Sequence, residues 1–206
     1  MAKTSPLSIW AAVEGTLDEA VVRRLIVHVG AEPGPIHGKN GKPHLLRQVK
    51  AYNEAARYKP WIVLVDLDDD EVCAPPFRAN WLPCPAPQMC FRVAVREVEA
   101  WLLADRERLA RFLSVSLGGV PPEPEAIADP KRVMVDLARR SRKREIREEM
   151  VPRPESGRPV GPAYSSHLME FVADTTAGWR PDAAAESSES LRRCIHALHA
   201  LVEPAS

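Results

Sequence analysis

Short apolar runs alternate with longer amphipathic stretches through the first half of the chain. Residues 7–13 (LSIWAAV) and 61–65 (WIVLV) are compact and almost wholly apolar, the pattern of strands buried on both faces of a sheet. Residues 90–95 (CFRVAV) give a third such run. Between the first two, Val21, Val22, Leu25, Ile26 and Val29 recur at helical spacing, and Leu45, Leu46, Val49, Tyr52 and Ala56 do so again. These series predict helices over 17–29 and 44–58. The connecting stretch 34–43 (GPIHGKNGKP) reads as a turn-rich loop with room for a short strand at 35–37. Strands and helices alternating in this way predict an α/β fold with a mostly parallel sheet flanked by helices.

Beyond residue 97 the pattern becomes helix and loop. Val98, Trp101 and Leu102 open a helix near residue 97, and 105–113 continues it or begins another. The stretch 131–150 reads as one helix, apolar early and charged late. Further helices are predicted at 163–173 and at 187–202, the latter with Leu191, Ile195, Leu198 and Leu201 in register as core or dimer contacts. The 20 prolines gather at 75–87, 121–130 and 152–162 and mark loops, so 73–87 reads as an irregular lid or excursion. The expected organisation is an α/β domain over 1–115 with a helical C-terminal extension over 116–206 packed on it.

Composition narrows the function classes. At 206 residues, with 45% apolar and 27% charged residues, the chain has the make-up of a soluble globular protein. Lys+Arg and Asp+Glu are equal at 28 each, so only a local basic patch can favour a nucleic acid. The four cysteines, at 73, 84, 90 and 194, form no Cys-x-x-Cys pair, which argues against structural zinc. No apolar run approaches the ~20 residues of a membrane span. Met1-Ala2-Lys3-Thr4 leads directly into the first strand, so no secretory leader is expected. The expected setting is cytoplasmic, reducing and away from membranes.

The chemistry lies in acidic residues that follow the apolar runs. Glu14 and Asp18 follow the first, and Asp66, Asp68, Asp69 and Asp70 follow the second. Glu97 and Glu99 follow the third. In open parallel sheets the carboxyl ends of the strands line the ligand crevice. Carboxylates gathered there repel unless a cation neutralises them, and hard oxygen donors select Mg2+ or Mn2+. Glu14, Asp18, Asp66, Asp68, Asp70, Glu97 and Glu99 are therefore the candidate metal ligands. Plainer readings stand beside this one. Glu14, Asp18, Glu97 and Glu99 also suit the first turn of a helix, and Asp66–Asp70 also suits a solvated turn.

Basic residues could supply phosphate contacts. Lys39 and Lys42, with His37 and His44, lie in the glycine-rich loop, which reads equally as a phosphate cradle and as a surface turn. Arg139, Arg142, Lys143 and Arg147 would share one face of the 131–150 helix and make a track for a phosphate backbone. Glu145, Glu148 and Glu149 dilute that face, and a solvated helix surface is the plainer reading. His196 and His199 read as surface or packing residues.

The order Glu14-Gly15-x-x-Asp18, then Asp66-x-Asp68, then Arg96-Glu-Val-Glu-Ala-Trp-Leu-Leu-Ala-Asp105 resembles a Toprim-type domain over roughly residues 7–105. More closely, it resembles small stand-alone Toprim-like bacterial proteins related to the overcoming-lysogenisation-defect nucleases. The resemblance implies a Toprim/Rossmann-like sheet and Mg2+- or Mn2+-dependent hydrolysis of nucleic-acid phosphodiesters, DNA or RNA, in phage defence or DNA processing. It casts Glu14 as ligand or acid/base and Asp66 and Asp68 as the metal-binding pair. Asp18 and Glu99 match extra acidic positions of the nuclease branch. Lys131 resembles a lysine that follows the last acidic motif there, and it joins Glu14, Asp66 and Asp68 as a candidate catalytic residue.

Those nucleases usually carry an ATPase domain. This chain has no Gly-x-x-x-x-Gly-Lys-Ser/Thr, so energy coupling would need a separate ATPase partner. Two alternatives stand. One is a non-catalytic nucleic-acid- or protein-binding subunit with a vestigial Toprim site, possible also as a homodimer. The other is a phosphatase, because residues 62–68 also resemble the nucleophile strand of haloacid-dehalogenase-type enzymes. That reading leaves Glu14 unexplained.

Overall fold

The computed structural model describes residues 7–203, so the residue 1–4 stretch weighed as a leader lies outside the described residues. Seven elements alternate at first: β1 (Ser8–Val13), α1 (Thr16–His28), β2 (Glu32–Gly38), α2 (Lys42–Ala55), β3 (Trp61–Asp66), α3 (Ala74–Trp81) and β4 (Met89–Ala94). The four strands form one parallel sheet in the order β2-β1-β3-β4. The expected α/β class with a parallel, Rossmann/Toprim-like sheet is what the chain adopts. Because β1 and β3 are internal, their runs are buried on both faces, which is why they read as unbroken apolar stretches.

The strand order decides where a ligand crevice forms. From β1 the chain crosses outward to β2, and from β3 it crosses outward the other way to β4. Right-handed crossovers then put α1 on one face and α2 and α3 on the other. The topological switch point lies between the carboxyl ends of β1 and β3. On the α2/α3 face, Leu45, Leu46, Val49 and Phe77 pack on Trp61, Val63, Val65 and Phe91.

Three local readings are corrected. The first half of the stretch read as a turn-rich loop belongs to β2, longer than the short strand expected at 35–37 and carrying Pro33, Gly34 and Pro35. An edge strand tolerates missing ladder donors, and a register shift between Ile9 and Ala11 absorbs the irregularity. The stretch 73–87 contains α3, whose prolines occupy the first turn, where no intrahelical donor is needed. The third concerns 131–150. It is two helices, α6 (Pro130–Arg139) and α7 (Arg144–Glu149), rather than one. Ser141 breaks it: its hydroxyl bonds to the Leu113 carbonyl and accepts from the Lys143 amide.

The chain packs as two units, residues up to 95 together with those from 192 on, and residues 96–191. The sequence had placed its division near residue 115. The second unit contains α4 (Val98–Ala104), α5 (Arg106–Leu113), α6, α7, α8 (Tyr164–Ala173) and α9 (Pro181–Ala185), and Trp101 and Trp179 are fully buried in it. The Trp179 indole donates to the Trp101 carbonyl at 3.0 Å. Buried Asp105 takes a forked pair of bonds from Arg180, at 3.0 and 2.6 Å. The last helix, α10 (Glu189–Val202), runs from the second unit into the first, where Cys194 is buried near Cys90. Among the described residues, no helix is long and apolar enough to cross a membrane.

Candidate functional site

The carboxyl ends of β1 and β3 are tied together by Glu14, whose carboxylate accepts the Asp66 amide hydrogen at 2.8 Å. One strand thus hands its first loop residue to the backbone of its neighbour, at the switch point of the sheet. The loop after β2 closes over the same place. The Lys39 amide donates to the Val13 carbonyl at 2.9 Å and the Gly41 amide to the Glu14 carbonyl at 3.1 Å. Gly38 is required for this approach: its φ is +92° and a Cβ would lie 2.1 Å from the Val13 oxygen.

Electrostatics single out Glu14. Burial pushes its carboxyl up from 4.5 to about 7. The Asp66 amide and the Lys42 charge work against that rise, while the charges of Asp18 and Asp68 add to it. Glu14 is half-buried and Asp18 buried; the Asp18 carboxylate accepts the Gly15 amide at 2.8 Å as a cap on α1. Lys42, the first residue of α2, reaches back to Asp68 at 2.6 Å and Asp70 at 2.7 Å. Burial opposes its ammonium, but these two bonds prevail and its pKa is raised. Asp68 presents its carboxylate from a left-handed backbone, φ +49°. Lys39 turns instead to Glu19 at 2.9 Å. A groove of about 410 Å³ borders Lys42 and Asp70, with Leu46, Phe77 and Trp81 among its walls.

Glu97 and Glu99 belong to the second unit, as does Lys131. Glu97 precedes α4 and receives both the Lys131 amide, at 3.1 Å, and its ammonium, at 2.7 Å. Glu99 is 2% exposed and takes the Tyr164 hydroxyl at 3.2 Å, with the Lys131 ammonium 3.7 Å away. Burial first, then the Glu99 charge, holds the Tyr164 phenol well above its ordinary value, so it stays a donor. The sequence proposed Glu97, Glu99 and Lys131. It gave no sign of Tyr164, a partner 65 residues away.

The basic track is corrected by the break between α6 and α7. Arg139 pairs with Asp136, and the Arg142 guanidinium reaches the Ser114 hydroxyl at 3.3 Å. The Lys143 ammonium meets the Phe112 carbonyl at 3.1 Å, and Arg147 bonds to the Ser141 carbonyl. The single helix face on which the four would align does not form.

Among the described residues of the first unit, Glu14, Asp18, Asp66, Asp68 and Asp70 do not bring three ligand oxygens within 4.8 Å of one another. A trio that does, Glu145, Glu149 and His167, was not proposed from sequence. No family model, curated protein or solved structure matches the chain.

Proposed function

We propose that this chain is a Toprim-like phosphohydrolase that cleaves nucleic-acid phosphodiesters with Mg2+ or Mn2+. The observation that carries the reading is Glu14. A half-buried carboxyl near neutral pKa, bonded to the neighbouring strand end at the switch point, is poised for acid/base work beside phosphate. The donors around it, Asp66 and Asp68, are all hard oxygens. Magnesium usually takes one or two carboxylates and completes its shell with water and substrate phosphate, so the set fits without a closed cage. Bound there, the ion would supply charge stabilisation for the transferring phosphoryl group.

The chain's own residues would divide the remaining work. Lys42 holds Asp68 and Asp70 in place and presents an ammonium at the mouth of the groove, where phosphate charge develops. Trp81, 39% exposed on the groove wall, offers a face for a nucleobase. Glu14 exchanges a proton with the attacking or leaving oxygen. DNA or RNA is the partner class, the cytoplasm is the setting, and any energy input comes from a separate ATPase.

The test is cleavage of labelled DNA and RNA with Mn2+ by the wild type and by Asp66→Asn and Glu14→Gln, with circular dichroism as a folding control. Loss of about 100-fold or more in both folded variants is expected. Undiminished cleavage in either removes that residue from the mechanism. One observation favours a non-catalytic binding subunit instead: Lys42 already pairs with both Asp68 and Asp70 and offsets half of their charge. On that reading, no cleavage occurs with either metal, and nucleic-acid binding falls in Arg142→Ala/Arg147→Ala while surviving Asp66→Asn.

A further inference from the structure

We infer that Glu145, Glu149 and His167 form a divalent transition-metal site of their own, of the zinc class, in the second unit. Their ligand atoms lie within 4.8 Å of one another. Glu145 and Glu149 are four apart on α7 and share a face, and His167 comes from the first half of α8. One imidazole nitrogen with two carboxylates is a mixed set that suits zinc, cobalt(II) or manganese better than magnesium or calcium. Three protein donors leave further positions for water or a ligand, the arrangement of an open zinc site.

The trio is built rather than accidental. The Ala163 amide donates to the Glu149 carbonyl at 3.0 Å, and the His167 amide donates to the Ala163 carbonyl at 3.0 Å. Two backbone bonds therefore fix the histidine relative to the second glutamate. Gly161 makes the crossing possible: a Cβ there would lie 2.3 Å from the Glu149 oxygen and 2.5 Å from the Met150 carbonyl carbon. Buried Ile146 and Met150 anchor α7, and Leu168, Phe171 and Val172 anchor α8.

The histidine is also oriented. Its Nε2 faces Glu149 at 2.7 Å, while Nδ1 faces the Glu170 carboxylate at 3.9 Å. At 3.9 Å that carboxylate makes no hydrogen bond, but it lies on the side where metal-binding histidines use an outer-shell acceptor. The neighbouring cations are engaged elsewhere, Arg144 with Glu148 and Arg147 with the Ser141 carbonyl. Among the described residues, no lysine or arginine pairs with Glu145 or Glu149. A dication would bring to the two carboxylates the charge that the single histidine cannot.

The experiment uses the full chain carrying Asp66→Asn and Asp68→Asn, which removes the proposed metal-binding pair of the strand ends and separates the outcome from the nuclease reading. Cobalt(II) is titrated and followed by its visible absorption, and zinc binding is measured by calorimetry. Saturable binding of one ion is expected, weakened at least ~10-fold by Glu149→Gln, Glu145→Gln or His167→Asn, since loss of an outer-shell partner alone costs roughly 10–100-fold. The two glutamine variants change side chains that solvent reaches, so they decide the matter if His167→Asn fails to fold. No saturable binding by millimolar metal, or binding equal in all variants, overturns the site and leaves His167–Glu149 a plain hydrogen bond.

Discussion

Replacing Glu14 by Gln tests the strand-end site through stability as well as activity. The amide keeps an oxygen for the Asp66 backbone and removes the charge. Lifting the carboxyl from 4.5 to about 7 means that the native state holds a proton the unfolded chain has released between those values. Stability of the wild type is therefore greatest below pH 4.5 on this account, and falls as pH rises to about 7. The ionised form costs about 3 kcal/mol at full shift, and solvent at the exposed edge of the carboxyl reduces this toward ~2 kcal/mol. Urea unfolding of both proteins at pH 5 and pH 8 isolates the effect, because all other titrations are common to the pair. The variant should gain about 1.5–2.5 kcal/mol on the wild type between the two pH values. Excess Mg2+ at pH 8 should narrow that gap by giving the wild-type carboxylate a counter-ion. A double difference below ~0.5 kcal/mol would refute the burial argument.

Two further substitutions probe what the sequence did not disclose. Lys42→Met should tighten Mg2+ binding, measured by calorimetry, because the internal counter-ion of Asp68 and Asp70 is gone; the same variant should cleave more slowly because the phosphate loses its ammonium. Gly161→Ala should destabilise the protein by about 1–3 kcal/mol in urea, because a methyl group is forced against the Glu149 and Met150 backbone, and it should weaken zinc binding by the same displacement.

Sequence patterning located β1, β3 and β4 because all three are buried on both faces, and such strands advertise themselves as apolar runs. β2 hid behind Pro33, Gly34 and Pro35, residues that an edge position tolerates. The acids Glu14, Asp66 and Asp68 were legible because a strand end is a short-range feature. Their partners were not. Lys42 meets Asp68 across 26 residues, and Tyr164 meets Glu99 across 65, distances that no local spacing encodes. The break in 131–150 was equally remote in cause: the acceptor that captures Ser141 is the carbonyl of Leu113, 28 residues earlier. Glu145 and Glu149 stood at a visible helical spacing, but the histidine that joins them depends on the chain crossing at Gly161.

The return of the chain to the first unit after residue 191 has a consequence for synthesis. All four strands leave the ribosome by residue 94, yet the segment that buries Cys194 near Cys90 follows about a hundred residues later. At ~5–20 residues per second, the nascent sheet waits about 5–20 seconds before its own last helix reaches it, while the second unit emerges in between. A parallel sheet is slow to form and prone to stray pairing while incomplete. The interval from residue 95 to residue 192 is therefore the window in which a chaperone would hold the growing chain, and in which the Cys90 thiol is most open to capture.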